Sequence, residues 1–156
     1  MDLNLFLPMP ADRLVPHRPP LCLVDRLLEF SGQTGVVESI IRPDNIFLNE
    51  DGSLPCLILV ELIAQASAAV KGYDDLRQGK GIKKGFLVDI RDVRFMGRCF
   101  KGDMLNIKIE IIKTISGFSV VNGEVERNGD VIAVGRIKLW VPENSNTPGQ
   151  TEVGGF

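Results

Sequence analysis

The spacing of apolar residues changes along the chain, and this change predicts the secondary structure. Residues 54–71 are almost entirely apolar, which predicts a helix that is buried on all sides and ends between Gly72 and Gly79. From Gly85 onward apolar and polar residues alternate, as they do in strands with one buried face. The sequence predicts strands at residues 21–30, 36–41, 86–95, 104–115, 118–127 and 131–141.

The segments between these elements carry turn and loop signals. Asn128-Gly129 predicts a two-residue hairpin, residues 31–35 predict a turn, and residues 43–55 read as an irregular polar loop. The first 14 residues, with Pro8 and Pro10, predict a short helix or a loop. Two strands, one buried helix and about four further antiparallel strands predict an α+β fold in which a curved sheet wraps the helix. We expect a single domain over residues 1–142 and a flexible tail over residues 143–156.

Composition and charge exclude several classes of function. The chain has 156 residues and a formal net charge of −2, so its charge does not indicate a nucleic-acid partner. Its three cysteines lack CxxC spacing, which argues against a disulfide framework or a zinc site. The sequence implies no metal, nucleotide or redox cofactor. The N-terminus resembles neither a signal peptide nor a membrane span, so we expect a cytoplasmic protein.

The candidate chemistry centres on Glu61, the single carboxylate in the apolar helix. Gln65 lies one turn later on the same face, where its amide can donate to the carboxylate and fix its rotamer. A buried carboxylate has a raised pKa and suits general acid–base chemistry. The alternative is that Glu61 pairs with an arginine or reaches an interface.

Other side chains have weaker claims to chemistry. His17 is the only histidine and lies among prolines, so it is either a structural hydrogen-bonding group or a catalyst. Pro55 and Cys56 stand at the helix start, where free backbone N–H groups can bind a carbonyl oxygen. Cys56 could be a nucleophile, but no base is near it in sequence, and cysteine commonly serves as a small apolar residue. Asp51 belongs to an acidic loop that also reads as a solvated turn.

A basic region also stands out in this acidic chain. Arg94, Arg98 and Lys101 lie near one another in sequence, with further cations before and among them. They either keep a strand face soluble or dock an acidic carrier protein.

Three motifs, in order, resemble the β-hydroxyacyl-acyl-carrier-protein dehydratases. Residues 14–26 (Leu-Val-Pro-His-Arg-Pro-Pro-Leu-Cys-Leu-Val-Asp-Arg) are similar to that family's opening segment. Pro55 with residues 60–66 resembles its catalytic helix, and residues 93–95 with 102–105 resemble a later strand pair. The resemblance implies a hotdog fold and a dimer. It also implies elimination of water from a 3-hydroxyacyl thioester on a pantetheine arm, catalysed by a helix carboxylate and a histidine from the other subunit.

The resemblance assigns roles to several residues and reveals one departure. Glu61 takes the place of the carboxylate, and Cys56 stands where a glycine N–H would bind the thioester carbonyl. Phe47 occupies the position of the family's histidine. The loop over residues 50–55 (Glu-Asp-Gly-Ser-Leu-Pro) is similar to that of a divergent branch found in aryl-polyene and fatty-acid-like gene clusters.

Four functional hypotheses follow. The leading one is dehydration of a 3-hydroxyacyl thioester on acyl carrier protein by Glu61, oriented by Gln65. His17 is the only imidazole available in the chain to complete a dyad, and Asp51 is the next candidate. The chain could instead be a non-catalytic subunit in a mixed dimer with a hotdog paralogue. For the oligomeric state, we expect either a homodimer or such a heterodimer. It could also be a thioesterase that uses a lone carboxylate, or an acyl-binding module without turnover.

Overall fold

A computed structural model describes residues 5–143 of the chain, and this part folds into an antiparallel sheet around one long helix. The helix, α1, spans Cys56–Arg77, and a short 3₁₀ turn covers Ala11–Arg13. The strands are β1 (Met9–Pro10), β2 (Arg26–Ser31), β3 (Thr34–Ile40), β4 (Phe86–Phe95), β5 (Met104–Ile115), β6 (Phe118–Arg127) and β7 (Asp130–Trp140).

The strand order of the sheet confirms the predicted hotdog fold. The order is β1-β2-β3-β5-β6-β7-β4, and every pair is antiparallel. The strands that precede α1 therefore form one side of the sheet, and the first strand after α1 forms the opposite edge. Register shifts interrupt β2, β4, β5 and the β6–β7 pairing. Such bulges bend strands and increase their twist, as a sheet that wraps a helix requires.

The alternation seen in the sequence corresponds to the two faces of the sheet. In β5 the side chains of Leu105, Ile107 and Ile109 are buried while their neighbours are exposed. The buried face packs on α1, whose residues Leu62 and Ile63 are almost fully inaccessible. The helix approaches the sheet closely where the strand residues are small. At Gly123 there is no room for a larger side chain, because a methyl group built there would lie only 2.3 Å from the Ile63 side chain.

Most predicted boundaries are confirmed, but the first predicted strand is too long. β4, β5 and β6 match the prediction, and β7 and β3 differ by one or two residues. The predicted strand over residues 21–30 begins only at Arg26, because side chains take the backbone groups that a strand would pair. The Gln65 side chain bonds the N–H of Leu23 and the C=O of Leu21, and Ser39 Oγ donates to the C=O of Leu23.

The predictions for the two ends of the chain can be compared with the structure only in part. The opening segment is a short strand and a 3₁₀ turn rather than a continuous helix. The predicted tail lies outside the described residues, apart from Glu143.

The helix ends follow local signals. Pro55 precedes the first turn, and Gly79, with φ of +74°, follows shortly after the last turn. By length and composition α1 could cross a membrane, yet 67% of its most apolar 18-residue window is buried within the domain. It is the core helix of the fold.

Candidate functional site

Glu61 and Gln65 form the polar centre of the site, as the sequence predicts. Gln65 Nε2 donates to Glu61 Oε1 at 2.8 Å and to the C=O of Leu21 at 2.9 Å. Its Oε1 accepts the N–H of Leu23 at 2.8 Å. Gln65 is buried and bonded at both ends, so its amide orientation is fixed. It therefore holds the Glu61 carboxylate in one position.

A cavity of about 460 Å³ opens in front of Glu61. Its polar side chains are His17, Glu61 and Gln65, and the rest of its wall is apolar. The apolar lining consists of Leu21, Leu23, Phe47, Leu57, Ile58, Val60, Leu87 and Ile90. A mostly apolar cavity with few convergent polar groups is the usual form of a small-molecule site.

The cavity changes the acidity of Glu61. Burial raises the pKa of the Glu61 carboxyl above its ordinary value, and the hydrogen bond from Gln65 offsets only part of this rise. In the described residues no cation is recorded within salt-bridge distance of Glu61. Within these residues Glu61 therefore has no arginine partner, and the alternative that it reaches an interface stays a prediction. A carboxyl with a raised pKa can hold a proton nearer neutral pH and donate it.

The structure brings His17 to the wall of the same cavity. Burial, with the nearby charges of Arg18 and Lys84, lowers the pKa of His17 to about 4. The imidazole is therefore neutral at pH 7. A group with this pKa is a weak base, because proton transfer is most efficient when the pKa lies near the working pH.

Phe47 also lines the cavity. Its phenyl ring can neither accept nor donate a proton, so the position that holds a histidine in the resembling family is apolar here. Asn45 Oδ1 accepts the N–H of Phe47 at 2.8 Å and fixes the loop that carries the ring.

Pro55 and Cys56 lie at the start of α1, outside the set of cavity-lining residues. Cys56 is half-buried, and the C=O of Pro55 accepts the N–H of Ile58 at 2.9 Å. The N–H groups of Cys56 and Leu57, which precede Ile58 in the first turn, have no i−4 partner in an α-helix, so a role for them in binding a carbonyl oxygen stays a prediction.

Asp51 and Arg98 belong to a separate network that shapes the loop before α1. Asp51 Oδ1 accepts the N–H and the hydroxyl of Ser53, and Arg98 contacts both Ser53 Oγ at 3.0 Å and Asp51 at 3.5 Å. These bonds lower the pKa of the exposed Asp51 carboxyl. Asp51 does not line the Glu61 cavity, so the structure does not bring the two carboxylates into one site.

The three basic residues predicted to dock a carrier are exposed. Arg98 lies 5.4 Å from the ring centre of Phe100, and the Lys101 side chain passes over Gly52. Arg94 lies on β4 opposite Val134. None of the three lines the Glu61 cavity.

A larger cleft, of about 740 Å³, crosses the outer face of the sheet. It is lined by charged and small residues, including the exposed Lys108, Glu110 and Arg136. Lys108 is paired with Glu126 at 2.8 Å, and Arg136 bonds Asn122. Because these charged side chains are exposed and Lys108 is already ion-paired, the smaller apolar cavity is the better candidate for chemistry.

Sequence reasoning did not identify the contribution of β4 to the site. Leu87 and Ile90 supply part of the cavity wall although they lie more than twenty residues beyond Gln65. Their apolar character signals only a strand, and the antiparallel pairing of β4 with β7 brings them to the cavity.

The comparisons with known proteins point to one family. The model of the ApeP-like family, described as ApeP dehydratase, matches residues 9–150. The 3-hydroxyacyl-[acyl-carrier-protein] dehydratase FabZ of Thermomicrobium roseum is 29% identical over 146 residues, which cover 86% of this chain and 93% of that protein. FabZ of Xylella fastidiosa (strain M12) is 27% identical over 129 residues, covering 77% and 79% of the two chains.

A solved structure agrees with this result. A chain of the dehydratase heterocomplex ApeI:P from Xenorhabdus doucetiae superposes with a TM-score of 0.82 at 26% identity, covering 88% of this chain and 94% of that one. The phenylacetic acid degradation protein PaaI from Thermus thermophilus gives a TM-score of 0.58 at 14% identity, covering 76% and 93% of the two chains. The second likeness shows the shared fold alone.

Proposed function

The chain belongs to the ApeP-like dehydratase family, and from this premise we propose that it takes part in dehydrating a 3-hydroxyacyl thioester carried on acyl carrier protein. The observation that carries the proposal is the Glu61 carboxyl, held by Gln65 at the wall of an apolar cavity that raises its pKa. An apolar cavity suits an acyl chain, and a protonated carboxyl suits a leaving hydroxyl.

The reaction needs two proton transfers. A base removes a proton from C2 of the acyl chain, the C3–O bond breaks, and an acid protonates the departing hydroxyl to give water and a 2-enoyl thioester. We assign the acid to Glu61, because its raised pKa favours the protonated form. Gln65 is a positioning residue that aims the carboxyl.

The base is the part that this chain supplies poorly. Phe47 has no proton chemistry, and His17, with a pKa of about 4, is a weak base. We therefore propose that a second hotdog subunit completes the site with an imidazole. The similarity to a chain of the ApeI:P structure supports a partner of this kind, since that structure is a dehydratase heterocomplex.

The remaining assignments follow from position. Backbone N–H groups at the start of α1, near Pro55 and Cys56, would hold the thioester oxygen. Arg94, Arg98 and Lys101 would meet the acidic surface of the carrier, where exposed charges mainly increase the rate of encounter. A cytoplasmic location fits these partners.

The test is mass spectrometry of a carrier-bound 3-hydroxyacyl substrate. The purified chain is assayed alone and together with a hotdog dehydratase subunit that retains the loop histidine. We expect loss of one water with the pair, and at least a 10²-fold slower loss when this chain carries Glu61→Gln, because a positioned acid contributes about 10²–10⁴-fold. Glu50→Gln removes the same charge from an exposed loop residue and serves as the matched control.

Three results would contradict the proposal. Full activity of the pair with Glu61→Gln would remove Glu61 from the chemistry and leave this chain a non-catalytic subunit. Release of a free carrier thiol without an enoyl product would indicate a thioesterase. Saturable binding without any product would indicate an acyl-binding module.

A further inference from the structure

A ladder of large apolar side chains crosses the outer face of the sheet, the face turned away from α1. It runs through Ile115 of β5, Phe118 of β6, Trp140 of β7 and Phe86 of β4, which are direct cross-strand neighbours. The Phe118 and Trp140 ring centres are 6.0 Å apart, and those of Phe86 and Trp140 are 5.9 Å apart.

The ladder is exposed to solvent although it is apolar. Ile115, Phe118 and Trp140 are 55%, 39% and 36% exposed. Their neighbours Ser119 and Leu139 point to the opposite face and are buried, so the ladder has no share in the core. A contiguous apolar patch of this kind on a protein surface usually marks a contact site.

Positive charge borders the ladder. The adjacent cross-strand row contains Lys113, Val120 and Lys138, and both lysines are exposed. Lys138 Nζ lies 5.0 Å from the centre of the Phe118 ring. The acidic member of this row, Asp89, is neutralised by Arg91 at 2.6 Å. The border is therefore basic in a chain whose net charge is negative.

We propose that this surface, the ladder with Lys113 and Lys138, binds the headgroup region of an anionic lipid bilayer. Tryptophan and phenylalanine place an apolar body at the membrane interface, while lysine extends its ammonium group to lipid phosphates. Basic residues near an anionic leaflet strengthen this contact further. Such peripheral binding needs no membrane-spanning segment.

The position of the surface argues against two other occupants. A second copy related by twofold symmetry would set this basic surface against itself, and the like charges would repel. A carrier protein bound here would lie on the wrong face, because Leu87 of β4 points inward to the Glu61 cavity while Phe86 points outward. The proposal is independent of the dehydration chemistry.

Trp140 provides a direct test because it is the only tryptophan in the chain. Its fluorescence is recorded while the full chain is titrated with vesicles of phosphatidylglycerol and phosphatidylcholine, and binding is measured in parallel by co-sedimentation. We expect a blue shift with these vesicles, no shift with pure phosphatidylcholine, and weaker binding as salt increases.

A charge-matched pair of double variants tests the lysines. Lys113→Gln with Lys138→Gln should weaken binding about 25-fold, because each lysine contributes roughly fivefold at an anionic surface. Arg13→Gln with Lys108→Gln removes the same charge from exposed positions outside the surface and should leave binding unchanged.

Each of three results would overturn the proposal. The first is an unchanged Trp140 spectrum and no co-sedimentation at low salt, and the second is an equal loss of binding in the control variant. The third is a shift that appears with soluble polyglutamate, or at high protein concentration, but not with vesicles. That result would assign the surface to an acidic protein or to self-association.

Discussion

At the scale of single residues, Glu61 occupies a position that costs the fold stability. Its carboxyl stands at an apolar cavity with one hydrogen-bond donor, Gln65, and no recorded ion pair among the described residues. Burial therefore disfavours its ionised form and raises its pKa. A residue that costs folding energy in this way is typical of an active site.

We expect Glu61→Gln to stabilise the fold, and to do so more as pH rises. Below the pKa of the unfolded chain, Glu61 is protonated in both states, and glutamine closely matches the neutral acid. As pH rises, the unfolded chain loses its proton before the folded chain does, so the wild type loses stability that the variant keeps. Urea unfolding of both proteins at about pH 4 and about pH 8 measures the difference.

The same urea unfolding experiment can also contradict this expectation. A stability difference that does not grow between the two pH values would show that Glu61 is ionised at little cost in the fold. Such a result would leave the assignment of Glu61 as the acid without its physical basis.

At the scale of elements, the site depends on how the segment before β2 lies on α1. Gly72 of α1 is buried, and a methyl group built on it would stand 2.0 Å from the backbone oxygen of Leu14. The atom that this methyl group would meet belongs to the backbone, so it cannot move aside by a change of rotamer. Further along, the same segment bonds Gln65 through Leu21 and Leu23. The close approach at Gly72 thus helps to set the geometry at Glu61.

Gly72→Ala is therefore expected to lower the free energy of unfolding by about 1–3 kcal/mol, the usual cost of overpacking. Gly81→Ala is the matched control, since a methyl group on Gly81 meets nothing within 4 Å and its φ is not positive. Denaturant midpoints of the two variants provide the measurement. Equal midpoints for both would show that the segment yields easily and does not position Gln65.

At the scale of the whole molecule, an unpaired edge of the described sheet lies beside the cavity. β4 forms an edge of the sheet, and among the described strands it pairs with β7 alone. Apolar side chains stand exposed there, with Leu57 at 68%, Val88 at 47% and Ile90 at 44%. Leu57 and Ile90 also line the Glu61 cavity. An unpaired edge with exposed apolar residues is suited to pairing with another chain.

Ile90→Lys should weaken assembly with a hotdog partner by at least tenfold, because it places a charge in an apolar contact. Ile112→Lys is the control, since Ile112 is also 44% exposed but lies on β5, away from this edge. Analytical ultracentrifugation of each variant with the partner subunit gives the dissociation constants. If both variants assemble like the wild type, the partner contacts a different surface.

The sequence by itself determined the elements that depend on local pattern. Alternation predicted β4, β5 and β6 with their observed ends, and Asn128-Gly129, both with positive φ, forms the predicted hairpin turn. It also identified Glu61 and Gln65, because a carboxylate and an amide four residues apart on an apolar helix must share one face. These features depend only on neighbours along the chain.

Only the tertiary structure decided which distant groups meet. The apolar run before Arg26 is not a strand, because Gln65, more than forty residues away, takes its backbone bonds. His17, Phe47 and Ile90 are also distant from Glu61 along the chain. They share one cavity with it because the fold around α1 brings them together. The aromatic ladder likewise exists only through strand register. A one-residue slip of any strand would turn its member to the other face of the sheet.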